Sequence, residues 1–350
     1  MRLFDVKNNF DIINGIHSNL VYEYIGNNYG ESLITIAIPT YKRIDYFIDA
    51  FFSALDQKYE HSFQIIIVDN DDEKTYFNEK IFAIKNKINC NEYNNVKIKY
   101  YINEKNIAGN NFNRCMELAD TEYVALLHDD DMLSKNYLKN MDKAVRGREI
   151  DAIGCELNII DKNGKTYNKK NPISTLLKVF IDMISADKMR SFGFDFFIDR
   201  CTSFPGFMIK RKAAIASGGL DMKLGPATDY VWQWNVANRY KSYLLLKEDY
   251  NYRVAQNDST KYETQLEICK MPCRLLQEYY STGKINLPYC VYRFHASCNL
   301  LMLINNAKNI WAIDIDYKVL MKEFSLYKPD VVSFALWKIA KKLYKIIRRI

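Results

Sequence analysis

Three consecutive carboxylates, Asp129, Asp130 and Asp131, stand directly after a short apolar run at residues 123–127. The run has the composition of a buried strand, whereas three adjacent acids repel one another and cannot be buried without a partner. At the end of an inner strand of an α/β sheet, a hard divalent metal ion is a partner that suits oxygen ligands. A solvated acidic turn is the alternative for the triplet taken alone.

Polar groups also follow two earlier apolar runs. Residues 33–39 lead into Thr40-Tyr41-Lys42-Arg43, and residues 63–69 lead into Asn70-Asp71-Asp72. Because the carboxyl ends of parallel strands meet at one edge of a sheet, the three polar sites should lie close together. A single strand-terminal acid is usually a turn or cap residue, but three such sites on one edge predict a ligand cleft.

Apolar runs and helical patterns alternate along the first half of the chain, which predicts a mostly parallel, doubly wound α/β sheet. The predicted elements are strands at 33–39, 63–69, 96–101 and 123–127, with helices at 44–58, 74–87 and 109–119. Residues 159–167 predict a hairpin around an Asn-Gly turn, residues 171–200 are mixed, and helical patterns dominate from Tyr262 onward.

Composition and missing motifs exclude several classes of protein. No GxGxxG follows the first strand and no GxxxxGK[ST] is present, which disfavours dinucleotide-binding Rossmann domains and P-loop NTPases. The net charge of +7 is concentrated at the C-terminal end, so it does not indicate nucleic-acid binding. Eight scattered cysteines, an N-terminus without an apolar stretch and the lack of a spanning run of ~20 apolar residues predict a cytoplasmic protein.

Four ordered segments resemble the family 2 glycosyltransferases of the GT-A fold, in particular those of bacterial surface-polysaccharide synthesis. They are Ile38 to Arg43, Ile67 to Asp71, the helix start from Asn106 to Arg114, and Leu127 to Asp131. The resemblance implies a GT-A-type, Rossmann-like catalytic domain at 33–260, with a nucleotide-binding half at 33–135 and an acceptor half at 136–260. Residues 1–32 would form an N-terminal extension, and residues 261–350 a mainly helical region.

The same resemblance implies roles for individual residues. Asp129 and Asp131 correspond to the DxD motif and would hold Mg²⁺ or Mn²⁺, with Asp131 as the expected direct ligand. Asp229 corresponds to the general base, although an N-cap of the following helix is its structural alternative. The implied nucleotide-binding residues are Pro39, Thr40, Tyr41, Arg43, Asp69, Asp71, Asp130 and Arg253.

The chain departs from the family pattern at two places. Thr228 stands where relatives often have an acid before the base, and Ala255 stands where many relatives have a histidine that helps with metal or diphosphate. The second departure weakens the expectation that Arg253 pairs with phosphate. Trp232 and Trp234 follow the base and could stack on an acceptor sugar or a lipid headgroup, but aromatic residues so close on a helix more often divide between core and surface.

The C-terminal segment at 328–350 carries seven basic residues against one acid. The basic residues from Lys338 onward fall on one helical face and apolar residues fall opposite, which favours a helix lying on an anionic membrane. Docking on the catalytic domain is the alternative. Membrane contact would place the protein at the inner face of the cell membrane.

Together these patterns predict an inverting, metal-dependent glycosyltransferase that moves a sugar from a nucleotide-sugar donor to a saccharide or lipid-linked acceptor. A nucleotidyltransferase on a similar scaffold is one rival, but no glycine-bearing loop follows the first strand. A non-catalytic sugar-nucleotide-binding or scaffold protein of a membrane assembly is the other, and it would tolerate loss of Asp229 or of the acidic triplet.

Overall fold

The fold was obtained as a computed structural model, which describes residues 5–71, 74–90, 93–166, 189–191, 204–254, 261–281 and residue 339. The strands of these residues form one ten-stranded sheet. They are β1 (Ser18–Ile25), β2 (Ser32–Thr40), β3 (Ser62–Asp69), β4 (Val96–Asn103), β5 (Tyr123–Leu126), β6 (Met132–Leu133), β7 (Ala152–Ile160), β8 (Met189–Ser191), β9 (Met208–Lys210) and β10 (Ser242–Arg253).

Helices alternate with the strands in the first half and cover both faces of the sheet. In the described residues they are α1 (Ile44–Leu55), α2 (Lys74–Asn89), α3 (Asn111–Leu118), α4 (Tyr137–Val145), α5 (Arg211–Ala216), α6 (Thr228–Ala237) and α7 (Tyr262–Ser281). Short 3-10 turns at Asn9–Ile13, Ala108–Asn110 and Met222–Ala227 connect them. The predicted α/β fold class is confirmed.

The strand order is β1-β4-β3-β2-β5-β9-β7-β10-β6, with β8 paired to β10. Strands β4, β3, β2 and β5 are parallel neighbours, as the sequence predicts for its four apolar runs. The second half of the sheet is mixed, because β9 runs antiparallel to both β5 and β7, whereas β10 runs parallel to β7. Strand β9 therefore joins the two halves of the chain in one sheet.

One face of the sheet packs against α1, α2 and α4. Alternate residues of β2, namely Ile34, Ile36 and Ile38, point to this face and are fully buried with Phe47 and Phe51 of α1. The side chains of a strand alternate between its two faces, which explains why every second residue joins this core. Burial of each large side chain contributes about 1.5–3 kcal/mol to stability.

The opposite face packs against α3, α5, α6 and α7. Ala37 of β2, Ile66 and Val68 of β3 lie in this second core together with Trp232 and Trp234 of α6. Both tryptophans are 2% exposed, so they are core residues and do not stack on a ligand. The packing of this face places the start of α6 beside the carboxyl ends of the parallel strands.

Residues before the first predicted strand belong to the same sheet. Strand β1 pairs antiparallel with β4 from Ser18 opposite Asn103 to Ile25 opposite Lys97. The sequence indicated no element here, because β1 is a half-exposed edge strand with little apolar alternation. The division of the chain into an extension, a catalytic domain and a C-terminal region stays a prediction.

Later predicted segments are described in part. The hairpin is present as a turn in which Gly164 N donates to Asp161 O at 3.0 Å and Asp161 N donates to Lys165 O at 2.8 Å. The predicted mixed segment at 171–200 lies outside the described residues except for β8, and the segment at 328–350 lies outside them except for Ile339. Among the helices that the structure describes, none has the length and apolar character needed to span a membrane.

Candidate active site

The acidic triplet lies in the loop between β5 and β6, where it faces the loop after β2. Asp129 Oδ2 accepts a hydrogen bond from Thr40 Oγ1 at 2.9 Å and one from Tyr41 N at 3.3 Å. Arg43 Nη1 lies 2.8 Å from Asp130 Oδ2 and 3.5 Å from Asp129 Oδ1. Two of the three acids therefore meet the residues that follow the first parallel strand, as the sequence predicts.

Asp131 lies behind the other two acids and is fully buried. Its two oxygens accept hydrogen bonds from Tyr250 OH at 2.9 Å and from Arg253 N at 2.7 Å. Both donors come from β10, so the second half of the sheet holds this acid. The Arg253 side chain is also fully buried, and it donates from Nε to Asp130 O at 2.8 Å and from Nη2 to Asp49 Oδ2 at 2.8 Å.

The electrostatics of the triplet are unfavourable without a cation. Burial, and then the neighbouring Asp130 carboxylate, raises the pKa of Asp131 to about 8. The same two causes raise the pKa of Asp129 to about 6, although Arg43 and the Thr40 hydroxyl oppose the shift. A bound cation would relieve this repulsion, because it favours the charged form of each carboxylate.

A second acidic pair follows β3 and has a buried lysine as its partner. Lys80 of α2 lies 3.0 Å from Asp69 Oδ2 and 3.5 Å from Asp71 Oδ2, and all three side chains are fully buried. Asp69 Oδ2 also accepts a short hydrogen bond from Tyr100 OH. Asp71 Oδ2 accepts from Lys42 N at 3.0 Å and thereby holds the turn after β2.

That turn has an unusual backbone. Lys42 has a φ of 62°, which is uncommon for a residue other than glycine. The turn is closed by a hydrogen bond from Arg43 N to Tyr41 O at 3.0 Å. Asp71 thus fixes a strained turn that leaves Tyr41 exposed on one side and aims Arg43 at the acids on the other.

Three asparagines connect the ends of β3 and β4 to the start of α3. Asn103 Nδ2 donates to Asn70 Oδ1 at 2.8 Å and to Asn111 Oδ1 at 2.9 Å. Asn111 Nδ2 donates to Val68 O at 2.7 Å, and Asn70 Nδ2 donates to Ala108 O at 3.1 Å. This network positions the loop from residue 104 to residue 110 beside the acids.

Asp229 lies in the first turn of α6. It is not the N-cap, because Ala227 occupies that position, and its Oδ1 accepts a hydrogen bond from Tyr230 N at 2.7 Å. Burial raises the pKa of Asp229 to about 6. Asp229 is therefore not the N-cap residue, although its carboxylate accepts a hydrogen bond from a backbone N–H of the first turn.

A cleft of about 1030 Å³ brings these groups together. Residues of the β2 loop, the acids and α6 all line it, and α7 contributes Thr264 and Ile268. The sequence-predicted residues on its surface are Pro39, Thr40, Tyr41, Arg43, Asp129, Asp130 and Asp229. Four predicted residues, Asp69, Asp71, Asp131 and Arg253, are buried behind this surface and hold it in place.

Within the described residues, His128, Asp130 and Asp131 form a group that could hold a metal ion. Their ligand atoms lie within 4.8 Å of one another. The Nε2 atom of His128 is buried without a hydrogen-bond partner. The centroid of the His128 ring lies 5.0 Å from that of Phe112 and 5.7 Å from that of Phe204. The group shares Asp131 with the predicted metal pair, whereas Asp129 Oδ2 accepts the hydrogen bonds from Thr40 and Tyr41, and Asp129 Oδ1 lies 3.5 Å from Arg43 Nη1.

A protein-family model described as glycosyl transferase family 2 matches residues 35–218, which is more than half of the chain. The chain belongs to glycosyl transferase family 2. The match includes the β2 loop, the acid after β3 and the acidic triplet, but ends before Asp229. No curated protein sequence matches the chain.

Solved structures agree with this family assignment. TarS of Staphylococcus aureus, residues 1–349 in complex with UDP-GlcNAc, has a TM-score of 0.55 at 14% identity, covering 91% of this chain and 89% of that one. A further structure of the same TarS residues has a TM-score of 0.54 at 14% identity, covering 83% and 80%. A structure of S. aureus TarS at 13% identity has a TM-score of 0.51, and 54% of that chain is covered. At such identities the likeness establishes the fold.

Sequence reasoning missed several residues of this family 2 site. Lys80 is a fully buried lysine on the face of α2 that also carries the buried Ile84 and Ile88, where the sequence pattern favours an apolar residue. Tyr250 and Asn103 carry no local signal, because each contacts the acids or the loop through tertiary pairing. The structure places Arg253 behind the acids, so its guanidinium does not line the cleft.

Proposed function

We propose that the protein is an inverting, metal-dependent glycosyltransferase of bacterial surface-polysaccharide synthesis. It would transfer a sugar from a nucleotide-sugar donor to a hydroxyl of a saccharide or lipid-linked acceptor. One observation carries the proposal: Asp229 lines the same cleft as Asp129, Asp130 and the loop after β2. A donor and an acceptor bound together in this cleft could therefore contact both the base candidate and the proposed diphosphate site.

The donor would occupy the end of the cleft formed by Pro39, Thr40, Tyr41 and Arg43. The ring of Tyr41 is 41% exposed and is available to stack on a nucleobase. The guanidinium of Arg43 is half-exposed and can pair with a phosphate oxygen of the donor. TarS, which has the same fold, was solved with UDP-GlcNAc, and this supports a nucleotide sugar as the donor class.

The residues of the triplet fit a divalent metal. His128, Asp130 and Asp131 offer one nitrogen and two carboxylate donors, with Asp129 beside them, and buried acids of this kind favour pairing with a cation. Carboxylates suit Mg²⁺ and Mn²⁺, and an imidazole nitrogen favours the transition metal of the two. A bound ion would neutralise negative charge on the departing diphosphate.

Asp229 would act as the general base. Its carboxylate takes the proton of the acceptor hydroxyl as the hydroxyl oxygen forms a bond to the anomeric carbon of the donor sugar. The bond between that carbon and the diphosphate oxygen breaks, and its electron pair leaves with the diphosphate. Attack opposite the leaving group inverts the anomeric centre, and positive charge develops on the sugar ring as in glycoside hydrolysis.

The first test is the thermal midpoint of the protein with UDP-GlcNAc, UDP-glucose, GDP-mannose and the free diphosphates, each with Mn²⁺ and with EDTA. A donor at 100 times its Kd should stabilise the folded state by about 2.7 kcal/mol. We expect a shift for one nucleotide sugar that EDTA or Asp131→Asn abolishes. A folded protein that no nucleotide stabilises would contradict the proposal and favour the scaffold alternative.

The second test is the turnover of Asp229→Asn, measured as release of nucleoside diphosphate from the stabilising donor. Loss of a general base should lower turnover about 10²- to 10⁴-fold while donor binding is retained. Asp45→Asn is the matched control, because Asp45 is an exposed acid in the first turn of α1. Unchanged turnover in Asp229→Asn would exclude this residue as the base.

A further inference from the structure

The N-terminal segment (residues 5–17) lies against residues 217–221, which we call the Gly-Gly loop. Asn9 donates from its backbone N to Gly218 O at 2.9 Å, and from Nδ2 to Gly218 O at 3.1 Å and to Gly219 O at 3.3 Å. Asn9 is 6% exposed. A buried side-chain amide with these bonds fixes the loop more firmly than a surface contact would.

The two glycines permit this close approach. Gly218 has a φ of 82°, and a Cβ there would lie 1.9 Å from Lys7 O. Gly219 has a φ of 70°, and its Cβ would lie 2.6 Å from Asn113 Oδ1. Only glycine meets both the positive φ and the lack of space, so the sequence of the loop is adapted to receive the N-terminal segment.

Helix α3 holds the N-terminal segment and the Gly-Gly loop through consecutive residues. Asn113 accepts from Leu220 N at 2.8 Å and donates to Leu220 O at 2.9 Å. Arg114 Nη2 donates to Ile13 O at 2.9 Å and to Ile16 O at 2.6 Å. The segment, the helix and the loop therefore form one hydrogen-bonded unit next to the cleft.

Asp221 connects this unit to the helix that carries the base candidate. Its Oδ2 lies 2.9 Å from Lys7 Nζ, and its Oδ1 accepts from Lys223 N at 3.1 Å. Its backbone O accepts a hydrogen bond from Thr228 Oγ1 at 2.7 Å. Thr228 is the residue directly before Asp229.

From this chain of contacts we infer that the N-terminal segment is a positioning element for Asp229, acting from Lys7 and Asn9 through Asp221 and Thr228. The inference rests on the proposed role of Asp229 as the base. The segment precedes the matched family region and Asp229 follows it, so the contact joins two parts of the chain that the family model does not include. A misplaced base lowers the rate without weakening donor binding.

The inference also explains why a threonine stands at position 228. A hydroxyl can donate a hydrogen bond to the Asp221 carbonyl, whereas an ionised carboxylate can only accept. An ionised acid at position 228 could not make this contact, whereas the threonine hydroxyl makes it at 2.7 Å.

The test compares Lys7→Met and Thr228→Val with the unchanged full-length protein, using the donor that stabilises it most. Lys7→Met removes the ion pair with Asp221 Oδ2, and Thr228→Val removes the hydrogen bond to Asp221 O. We expect kcat to fall about 10- to 100-fold with the donor KM unchanged, because the displaced group is the base. Thr228→Ser keeps the hydroxyl and should restore kcat.

Two controls separate positioning from general stability. Lys97→Met removes another ion pair of the N-terminal region, in which Lys97 Nζ lies 3.4 Å from Glu23 Oε1 of β1, and should leave kcat unchanged. In an Asp229→Asn background, Lys7→Met should cause no further loss, because residues that act through one group are not additive. The thermal midpoint of each variant shows that it is folded.

The inference is overturned by an unchanged kcat in a folded Lys7→Met. It is also overturned by an unchanged kcat in Thr228→Val, whether or not Lys7→Met folds, or by a Thr228→Ser variant that fails to restore kcat. It is also overturned by an equal loss in Lys97→Met. Failure of the proposed function is a different result, in which Asp229→Asn keeps its turnover. If Asp229→Asn loses turnover while Thr228→Val keeps full activity, the proposed role of Asp229 as the base stands and only the positioning role of the N-terminal segment is excluded.

Discussion

At the residue scale, the protonation state of Asp229 would decide when this proposed base can act. Burial raises its pKa to about 6, and a general base must be ionised to accept a proton. We expect kcat/KM to fall tenfold for each pH unit below about 6 and to be level above it. The rate of diphosphate release, measured as a function of pH, tests this expected decrease below pH 6. An activity that is constant down to pH 4.5 would exclude Asp229 as the base.

The raised pKa of Asp229 also predicts how the stability of the fold depends on pH: stability should fall as pH rises, whereas activity should increase. An acid whose pKa is raised in the folded state stabilises the fold fully below its unfolded value of 3.8, and this contribution is lost as pH rises through about 6. Asp229→Asn removes the ionisation. Relative to the unchanged protein, its thermal midpoint should therefore be higher at pH 8 than at pH 4.

At the same scale, we expect His128 to determine which metal ion the proposed site prefers. Because a ring nitrogen suits Mn²⁺ better than Mg²⁺, His128→Ala should weaken Mn²⁺ binding by at least about 10- to 100-fold and Mg²⁺ binding less. Calorimetric titration of each ion measures this difference. His61→Ala is the control, because His61 is exposed and far in sequence from the acids. Equal Mn²⁺ affinity in His128→Ala would show that carboxylates alone hold the ion.

At the element scale, α2 stabilises the ends of β2 and β3 through one buried charge. Lys80 is the partner of Asp69 and Asp71, and all three side chains are fully buried. Lys80→Met would leave the carboxylates without this partner, and we expect a loss of about 3–5 kcal/mol in the free energy of unfolding. Urea unfolding at pH 7 measures it.

Lys85→Met is the matched control for this prediction, because Lys85 is an exposed residue of the same helix. Its ammonium lies 5.3 Å from the Tyr22 ring centroid, so the control removes only a surface contact. A change of about 0.5 kcal/mol or less is expected there. A Lys80→Met variant as stable as Lys85→Met would show that the acids are held by their other hydrogen bonds.

At the scale of the whole molecule, β10 pairs with β6 and β7 and contacts the acidic triplet from the second half of the chain. Arg253 at its end donates to Asp130 O, to Lys162 O at 2.8 Å and to Asp49. Arg253→Lys keeps one charge but cannot reach all three acceptors, and loss of the partner of Asp130 O, which belongs to a buried residue, costs about 1–3 kcal/mol. We expect lower stability together with weaker Mn²⁺ binding.

Arg146→Lys is the control, since Arg146 is a half-exposed arginine paired with Asp142 four residues earlier. An exposed pair contributes about 0.2–1 kcal/mol, so this variant should change little. Urea unfolding and calorimetric titration with Mn²⁺ measure the two effects. If Arg253→Lys is less stable but binds Mn²⁺ with full affinity, then Arg253 stabilises the sheet without positioning the acids for the metal ion.

The sequence by itself determined the four parallel strands of the first half and one edge of the site. Continuous apolar runs mark β2 and β3, in which every residue from Ile34 and from Phe63 onward is buried. The polar residues after β2, β3 and β5 meet because parallel strands align their carboxyl ends. The family and the α/β fold could be predicted in the same way, because the motifs lie within single loops.

Only the tertiary structure decided which of these residues face the cleft and which hold it from behind. Asp131 has partners 119 and 122 residues away, and Thr228 is held through Asp221 by the N-terminal segment. Helical and strand periodicities report on neighbours within a few residues, whereas such pairings depend on strand order and on β10 lying against β6 and β7. Local sequence pattern therefore places an acid at a strand end, and the assembled sheet assigns its partner.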